Sequence, residues 1–111
     1  MTRFLLITLC ILTALTLAAA PARAAGKKVT ISIEGLKYHP DPVTIEVGDT
    51  IIWTNNDERD HSVKADDGSF DSGLLRKGKT FSKTFDKPGK ITYGSDPSPR
   101  TKGTVVVKEK K

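Results

Sequence analysis

Apolar and polar side chains alternate along most of the chain after residue 28. In residues 29–33 and 43–47 every second position is apolar, and the positions between them are polar. Strict alternation of this kind is typical of half-buried strands that have one face on a core and one face in water. No stretch of ten residues carries the apolar stripe of a surface helix. The remaining strand candidates are residues 51–54, 61–65, 81–85, 91–93 and 104–108.

Turn-forming residues separate these runs. Examples are Pro40-Asp41-Pro42, Gly48-Asp49 and Pro88-Gly89, combinations that interrupt regular structure. One strand in roughly every 8–12 residues is typical of a sandwich or a barrel. We therefore predict an all-β fold, a β-sandwich of about seven strands in two packed antiparallel sheets. Trp53 is the single tryptophan, and its large apolar ring is predicted to anchor the core.

The first 24 residues have a different pattern from the rest of the chain. A short basic start ends at Arg3, and residues 4–20 are then apolar or small and uncharged. The small-residue pattern Ala22-Arg23-Ala24 follows, so we predict a signal peptide over residues 1–24, cut after Ala24. A transmembrane helix is the alternative, but 17 apolar residues fall short of the roughly 20 that span a bilayer. We expect a periplasmic or secreted protein, with one domain at residues 25–111 and no membrane insertion after cleavage.

Composition narrows the function further. The chain of 111 residues carries 18 Lys and Arg against 13 Asp and Glu, a net charge of +5 that falls to +3 once the two arginines of residues 1–24 are removed. Cleavage also removes Met1 and Cys10, so the predicted mature domain contains neither a thioether nor a thiol. Basic and acidic residues are interleaved without an aromatic and basic platform, which argues against nucleic-acid binding. No nucleophile–base or paired-carboxylate motif is present, so we do not expect an enzyme.

Several longer segments occur in an order and spacing that resemble a known family. Residues 42–55 read PVTIEVGDTIIWTN, residues 67–75 read DGSFDSGLL and residues 103–107 read GTVVV. With them the chain resembles the small cupredoxins, the family of plastocyanin, amicyanin and halocyanin. The resemblance implies a Greek-key β-sandwich, a type 1 copper ion and single-electron transfer. It also implies a monomer whose partner is a periplasmic redox or copper-handling protein.

The copper ligands that the resemblance implies are two histidines, a cysteine thiolate and a weak axial methionine. His61 stands at the position of the first histidine. The other three ligands would come from one loop of the form Tyr-x-Cys-x-x-His-Pro-x-Met-x-Gly, and residues 93–103 of this chain read YGSDPSPRTKG at the same length. The cysteine, histidine and methionine positions are taken by Ser95, Ser98 and Thr101.

A type 1 copper centre requires a thiolate, which the predicted mature domain lacks. We therefore expect Ser95, Ser98 and Thr101 not to bind metal, and to hydrogen-bond with one another or with loop backbone instead. The chain is then a degenerate, non-blue cupredoxin that acts as a metal-free binding or structural module, with no cofactor. Copper remains the cofactor that the resemblance implies.

The alternative function is weak copper binding or copper carriage at a remodelled site. His61 would be its anchor, and His39 with Asp60 or Asp96 would complete a nitrogen and oxygen ligand set for Cu(II) or Zn(II). The simpler interpretation makes His61 a partly exposed histidine at one end of the sandwich and His39 a solvated loop residue. Residues 55–60 are expected to form a solvated loop. The resemblance implies that Asn55 braces this end of the molecule by hydrogen bonds.

Overall fold

The computed structural model describes residues 26–110. The predicted signal peptide over residues 1–24, with its cleavage position after Ala24, lies outside the described residues, as do Met1 and Cys10. Within residues 26–110 we find no helix that is long and apolar enough to cross a bilayer.

Residues 26–110 form an all-β sandwich of two four-stranded sheets, which confirms the predicted fold class. One sheet has the order β2-β1-β4-β6, and the other has the order β3-β8-β7-β5. The chain therefore crosses between the sheets at most of its connections. The strands are β1 (Lys28–Glu34), β2 (Lys37–His39), β3 (Val43–Glu46), β4 (Thr50–Asn55), β5 (Lys64–Ala65), β6 (Thr80–Thr84), β7 (Gly89–Ser95) and β8 (Ser98–Lys108).

The described residues contain eight strands, close to the predicted number of about seven. The additional one is Lys37–His39, a short strand that pairs with β1. One detail of the predicted architecture was wrong. The sheets are mixed instead of antiparallel, since β1 pairs with β4 and β3 pairs with β8 in parallel. These neighbours are not consecutive along the chain, so a crossover joins them, and a crossover permits parallel pairing where a hairpin does not.

The two-residue turn between β1 and β2 has an unusual backbone. Gly35 and Leu36 both have a φ of 63°, as a type I′ hairpin turn requires at its two central positions. Glycine adopts this conformation freely, but leucine adopts it at a steric cost. The surrounding structure must therefore hold Leu36 in place, and the contacts that do so belong to the candidate site.

The core between the sheets is built around Trp53, as the sequence predicts. Its side chain is fully buried on β4. Four aromatic rings surround it at centroid distances between 5.5 and 6.5 Å, and they belong to Phe70, Phe81, Phe85 and Tyr93. The indole Nε1–H donates a hydrogen bond of 3.1 Å to the Tyr93 hydroxyl, so the polar atoms of both buried rings are satisfied.

The close packing of Tyr93 depends on a glycine of the neighbouring strand. Gly103 lies opposite Tyr93 in the β7–β8 pair, and a Cβ at this glycine would come within 2.8 Å of ring atom Cε1 of Tyr93. A glycine at this position lets the tyrosine ring lie flat against the β8 backbone. This contact fixes the register of β7 and β8 immediately before the segment that carries Ser95, Ser98 and Thr101.

Candidate functional site

The segment predicted as a ligand loop is a tight hairpin tip. Ser95 is the last residue of β7, Ser98 is the first residue of β8, and the two face each other in register. Only Asp96 and Pro97 lie between the strands, and the register shifts between Gly94 and Ser95. Backbone pairing between β7 and β8 therefore continues almost to the tip of this segment.

His61 is completely buried, which corrects the expectation of a partly exposed histidine. Its backbone N–H donates to the carbonyl of Leu75 at 3.0 Å, and the N–H of Leu75 donates back at 2.7 Å. This reciprocal bridge replaces part of the strand that was predicted over residues 61–65, of which only Lys64–Ala65 is formed. These two hydrogen bonds therefore hold the backbone of His61 in place independently of the contacts that its imidazole makes.

Both nitrogens of the His61 imidazole have hydrogen-bond partners. Nε2 lies 2.9 Å from Oδ2 of Asp57, and Nδ1 lies 3.1 Å from Oγ of Ser95. The Ser95 oxygen also accepts the backbone N–H of Ser62 at 3.1 Å. An imidazole protonated at Nε2 satisfies every contact, since it donates to the carboxylate and accepts the Ser95 hydroxyl proton at Nδ1.

Asp57 is a member of this site that the sequence pattern did not identify. It precedes His61 by four positions in the loop that was expected to be solvated, yet its side chain is only 19% exposed. Its carboxylate accepts the backbone N–H groups of Gly35 at 3.3 Å and of Leu36 at 3.0 Å, which holds the left-handed turn. The hydrogen bond from His61 lowers the pKa of Asp57, and these two backbone donors lower it further against the opposing effect of burial.

Asn55 braces the loop that carries Asp57, as the resemblance implies. Its side-chain amide donates to the carbonyls of Arg59 and Leu75, both at 2.8 Å. Its Oδ1 accepts the backbone N–H of Asp57 at 2.9 Å. Because Asn55 is fully buried at the end of β4, it ties this loop to the rigid sheet and places Asp57 next to His61.

Ser98 and Thr101 form a second part of the same network. The Ser98 hydroxyl lies 2.8 Å from Oγ1 of Thr101. Thr101 Oγ1 in turn donates to the backbone carbonyl of Leu36 at 2.8 Å. Since the N–H of Leu36 donates to Asp57, the β1–β2 turn connects Thr101 to Asp57 and His61. Ser95, Ser98 and Thr101 thus make hydrogen bonds with one another and with backbone, as we expected.

The chemistry of these residues does not fit a type 1 copper ion. Such a site requires a thiolate with two imidazoles, whereas here the His61 imidazole is hydrogen-bonded to the Ser95 hydroxyl and to the Asp57 carboxylate. Among residues 26–110, no group of three or more His, Cys, Asp or Glu side chains is arranged to hold a metal ion. The imidazole nitrogen of His61 nearest the altered positions is already hydrogen-bonded to Ser95.

The remodelled metal site would also require the side chains of His39 and of Asp60 or Asp96. His39 is exposed on β2, and its Nε2 lies 3.1 Å from the carbonyl of Glu34. Asp96 is exposed, and its carboxylate lies 3.8 Å from the Lys64 ammonium. In the described part of the chain no hydrogen bond joins His39, Asp60 or Asp96 to the His61 imidazole.

The order Asp57–His61–Ser95 is that of an acid, a base and a nucleophile in hydrolytic enzymes. The surroundings differ from those of a catalytic site, because Ser95 is only 4% exposed and His61 is fully buried. The Ser95 oxygen is also held by the backbone of Ser62. The arrangement cross-links the loop before β5, the β1–β2 turn and the β7–β8 tip.

Comparisons with known proteins agree with the fold and the resemblance. The family model described as a cupredoxin-like domain matches residues 5–107. Amicyanin from Paracoccus versutus is 30% identical over 93 residues, which cover 79% of this chain and 70% of amicyanin.

Two solved structures have the same fold. A purple cupredoxin from Nitrosopumilus maritimus superposes with a TM-score of 0.67 at 29% identity, over 71% of this chain and 98% of that one. A copper-containing nitrite reductase from Thermus scotoductus superposes with a TM-score of 0.71 at 27% identity, over 85% of this chain but 25% of the reductase.

Proposed function

This chain belongs to the cupredoxin family of electron-transfer copper proteins, and from that premise we propose that it has lost the family's copper site and acts as a metal-free binding or structural module. Ser95, Ser98 and Thr101 stand where the resemblance places three of the copper ligands. In this proposal they keep the site end folded by hydrogen bonds instead of by metal coordination.

One observation carries this proposal: both imidazole nitrogens of His61 are hydrogen-bonded, and a serine holds the one that lies toward the altered ligand positions. The neutral bond to Ser95 contributes only about 0.5–1.5 kcal/mol net, and the bond to the Asp57 carboxylate contributes about 1.5–3 kcal/mol. These two bonds would not by themselves outcompete a complete set of copper ligands. Residues 26–110 contain no cysteine, and His61 supplies the one imidazole of the described network. This is the larger effect, because a thiolate and two imidazoles give copper its affinity and its type 1 character.

The proposal includes a location, an oligomeric state and the absence of catalysis. The pattern of residues 1–24 supports export, with cleavage after Ala24 into the periplasm or the exterior. We expect a monomer whose partner is a redox or copper-handling protein of that compartment. The enclosure of Ser95 supports a role without catalysis, since a nucleophile must reach its substrate.

A second candidate function is weak Cu(II) binding at His61. The observation that favours it is the imidazole and carboxylate pair of His61 and Asp57, which supplies one nitrogen and one oxygen donor in contact. Copper would have to displace Ser95 from Nδ1 and enter a buried site. His39 offers an accessible imidazole that could bind Cu(II) independently, so the two histidines must be tested separately.

A Cu(II) titration of the purified protein, followed by calorimetry and visible absorption, distinguishes the two candidates. The metal-free proposal expects no saturable 1:1 binding that depends on His61, and no thiolate charge-transfer band. Binding that His61→Ala abolishes and His39→Ala preserves would establish the copper-carrier alternative. Binding abolished only by His39→Ala would be adventitious surface binding and would leave the proposal intact.

A positive control comes from the unchanged length of the segment at residues 93–103. The triple variant Ser95→Cys, Ser98→His, Thr101→Met restores the ligand types that the resemblance implies. We expect this variant to bind copper with an intense charge-transfer band, whereas the wild type does not. The comparison shows that the assay detects a type 1 site on this scaffold when its ligands are present.

A further inference from the structure

A groove runs between β2 and the first half of β8, beside the His61 network. It has a volume of about 430 Å³ and is lined by residues of the 36–41 segment together with Arg100 and Lys102. The hydrogen bond from Thr101 Oγ1 to the Leu36 carbonyl joins its two sides. The residue at the former methionine position therefore helps to set the width of the groove.

Both strands of this groove have an edge without a neighbouring strand. In the described structure β2 pairs only with β1. β3 pairs with β8 from Val105 onward, so in the described structure no strand is hydrogen-bonded to that edge of the first half of β8. Uncovered strand edges present backbone N–H and carbonyl groups that an extended chain can pair with.

Positive charge predominates in the groove. Lys37, Arg100 and Lys102 line it, and its one acidic lining residue is Asp41, whose Oδ1 accepts the backbone N–H of Thr104 at 2.8 Å. Lys37 and Arg100 form no salt bridge with any of residues 26–110. Lys102 lies 3.3 Å from Asp66 in an exposed pair, and exposed ion pairs of this kind are weak because water screens them.

We propose that this groove binds an acidic, extended segment of a partner protein, whose carboxylates pair with Lys37 and Arg100. The inference rests on the proposed function, since a binding module requires a partner. The planar guanidinium of Arg100 can hold a carboxylate through two parallel hydrogen bonds. Leu36, 41% exposed at the head of the groove, supplies an apolar contact for a side chain between the acidic ones.

The test uses a fluorescein-labelled peptide of alternating glutamate and leucine, with the glutamine and leucine analogue as the control peptide. Fluorescence anisotropy is measured at a salt concentration of about 0.15 M, where long-range attraction is screened. The groove variant is Lys37→Ser with Arg100→Ser. The matched variant is Lys83→Ser with Lys87→Ser, which removes the same charge from residues that line a different pocket.

We expect saturable binding of the acidic peptide, weakened at least tenfold in the groove variant and less than twofold in the matched variant. Equal weakening in both variants would reveal only general charge attraction and would overturn the proposal. So would equal binding of the glutamine peptide, the absence of saturable binding, or complete displacement by millimolar inorganic phosphate, which would indicate a small-anion site. Urea midpoints for both variants verify that they fold.

The result of the peptide-binding experiment is independent of the result of the copper titration. Failure of peptide binding leaves the metal-free site as it is, because Lys37 and Arg100 contribute no side-chain hydrogen bond to the His61 network. Conversely, copper binding at His61 would refute the metal-free proposal and would leave the peptide result unaffected.

Discussion

Replacing Ser95 with alanine tests whether the hydrogen-bond network holds the site end together. The Ser95 hydroxyl contacts His61 Nδ1 and the backbone N–H of Ser62, both at 3.1 Å, and both partner residues are buried. The Ser95→Ala variant leaves a buried acceptor and a buried donor without a partner. Each such group costs about 1–3 kcal/mol, so for the two groups we expect a loss of about 2–6 kcal/mol in the free energy of unfolding.

Urea unfolding followed by the fluorescence of Trp53 measures this loss. The single tryptophan lies at the centre of the core, so its emission reports global unfolding. With an m-value of about 2 kcal/mol/M, the expected loss lowers the midpoint by about 1–3 M. The control is Ser82→Ala on the exposed face of β6, which should change stability by less than about 0.5 kcal/mol.

Equal urea midpoints and equal m-values for Ser95→Ala and Ser82→Ala would refute the stabilising role of the Ser95 hydroxyl. That result would mean that the site end relaxes without cost when the serine is lost. A changed m-value with an unchanged midpoint would count against the reasoning too, because it would place the effect in the unfolded chain instead of in the folded network.

Two further predictions concern the carboxylate of Asp57 and the contact between Gly103 and Tyr93. The lowered pKa of Asp57 means that its stabilising effect is complete above the ordinary carboxyl pKa of 3.8 and is lost as the pH falls through the lowered value. The stability difference between the wild type and Asp57→Asn, from urea midpoints at several pH values, should therefore shrink as the pH falls through that range; parallel acid curves would contradict this. Gly103→Ala should destabilise by about 1–3 kcal/mol, because a methyl group there would overlap the buried Tyr93 ring. An unchanged urea midpoint and near-ultraviolet circular dichroism spectrum would show that the ring moves aside freely.

Much of the fold could be predicted from local pattern, because a strand with one buried face repeats every two residues. Residues 29–33, 43–47 and 51–54 lie within or nearly within the observed β1, β3 and β4. Lys37–His39 was missed because a three-residue strand is too short to show a period. The mixed pairing was missed because the order of strands in a sheet depends on crossovers, which alternation does not encode.

The candidate site could be predicted only in part. Comparison of residues 93–103 with the loop of the family identified Ser95, Ser98 and Thr101 and their loss of ligand chemistry. It did not identify Asp57, because the contacts of this carboxylate with Gly35 and Leu36 join positions more than 20 residues apart. A charged loop sequence is the same whether its aspartate faces water or an imidazole.

The sequence by itself determined the all-β class and the absence of a thiolate from residues 25–111, because periodicity and residue type are properties of the chain alone. The tertiary structure decided that His61 is buried between Asp57 and Ser95, that the hairpin is paired to its tip, and that a basic groove lies beside it. Each of these features joins strands or loops that are distant in sequence, and their meeting depends on how the two sheets pack around Trp53 and Tyr93.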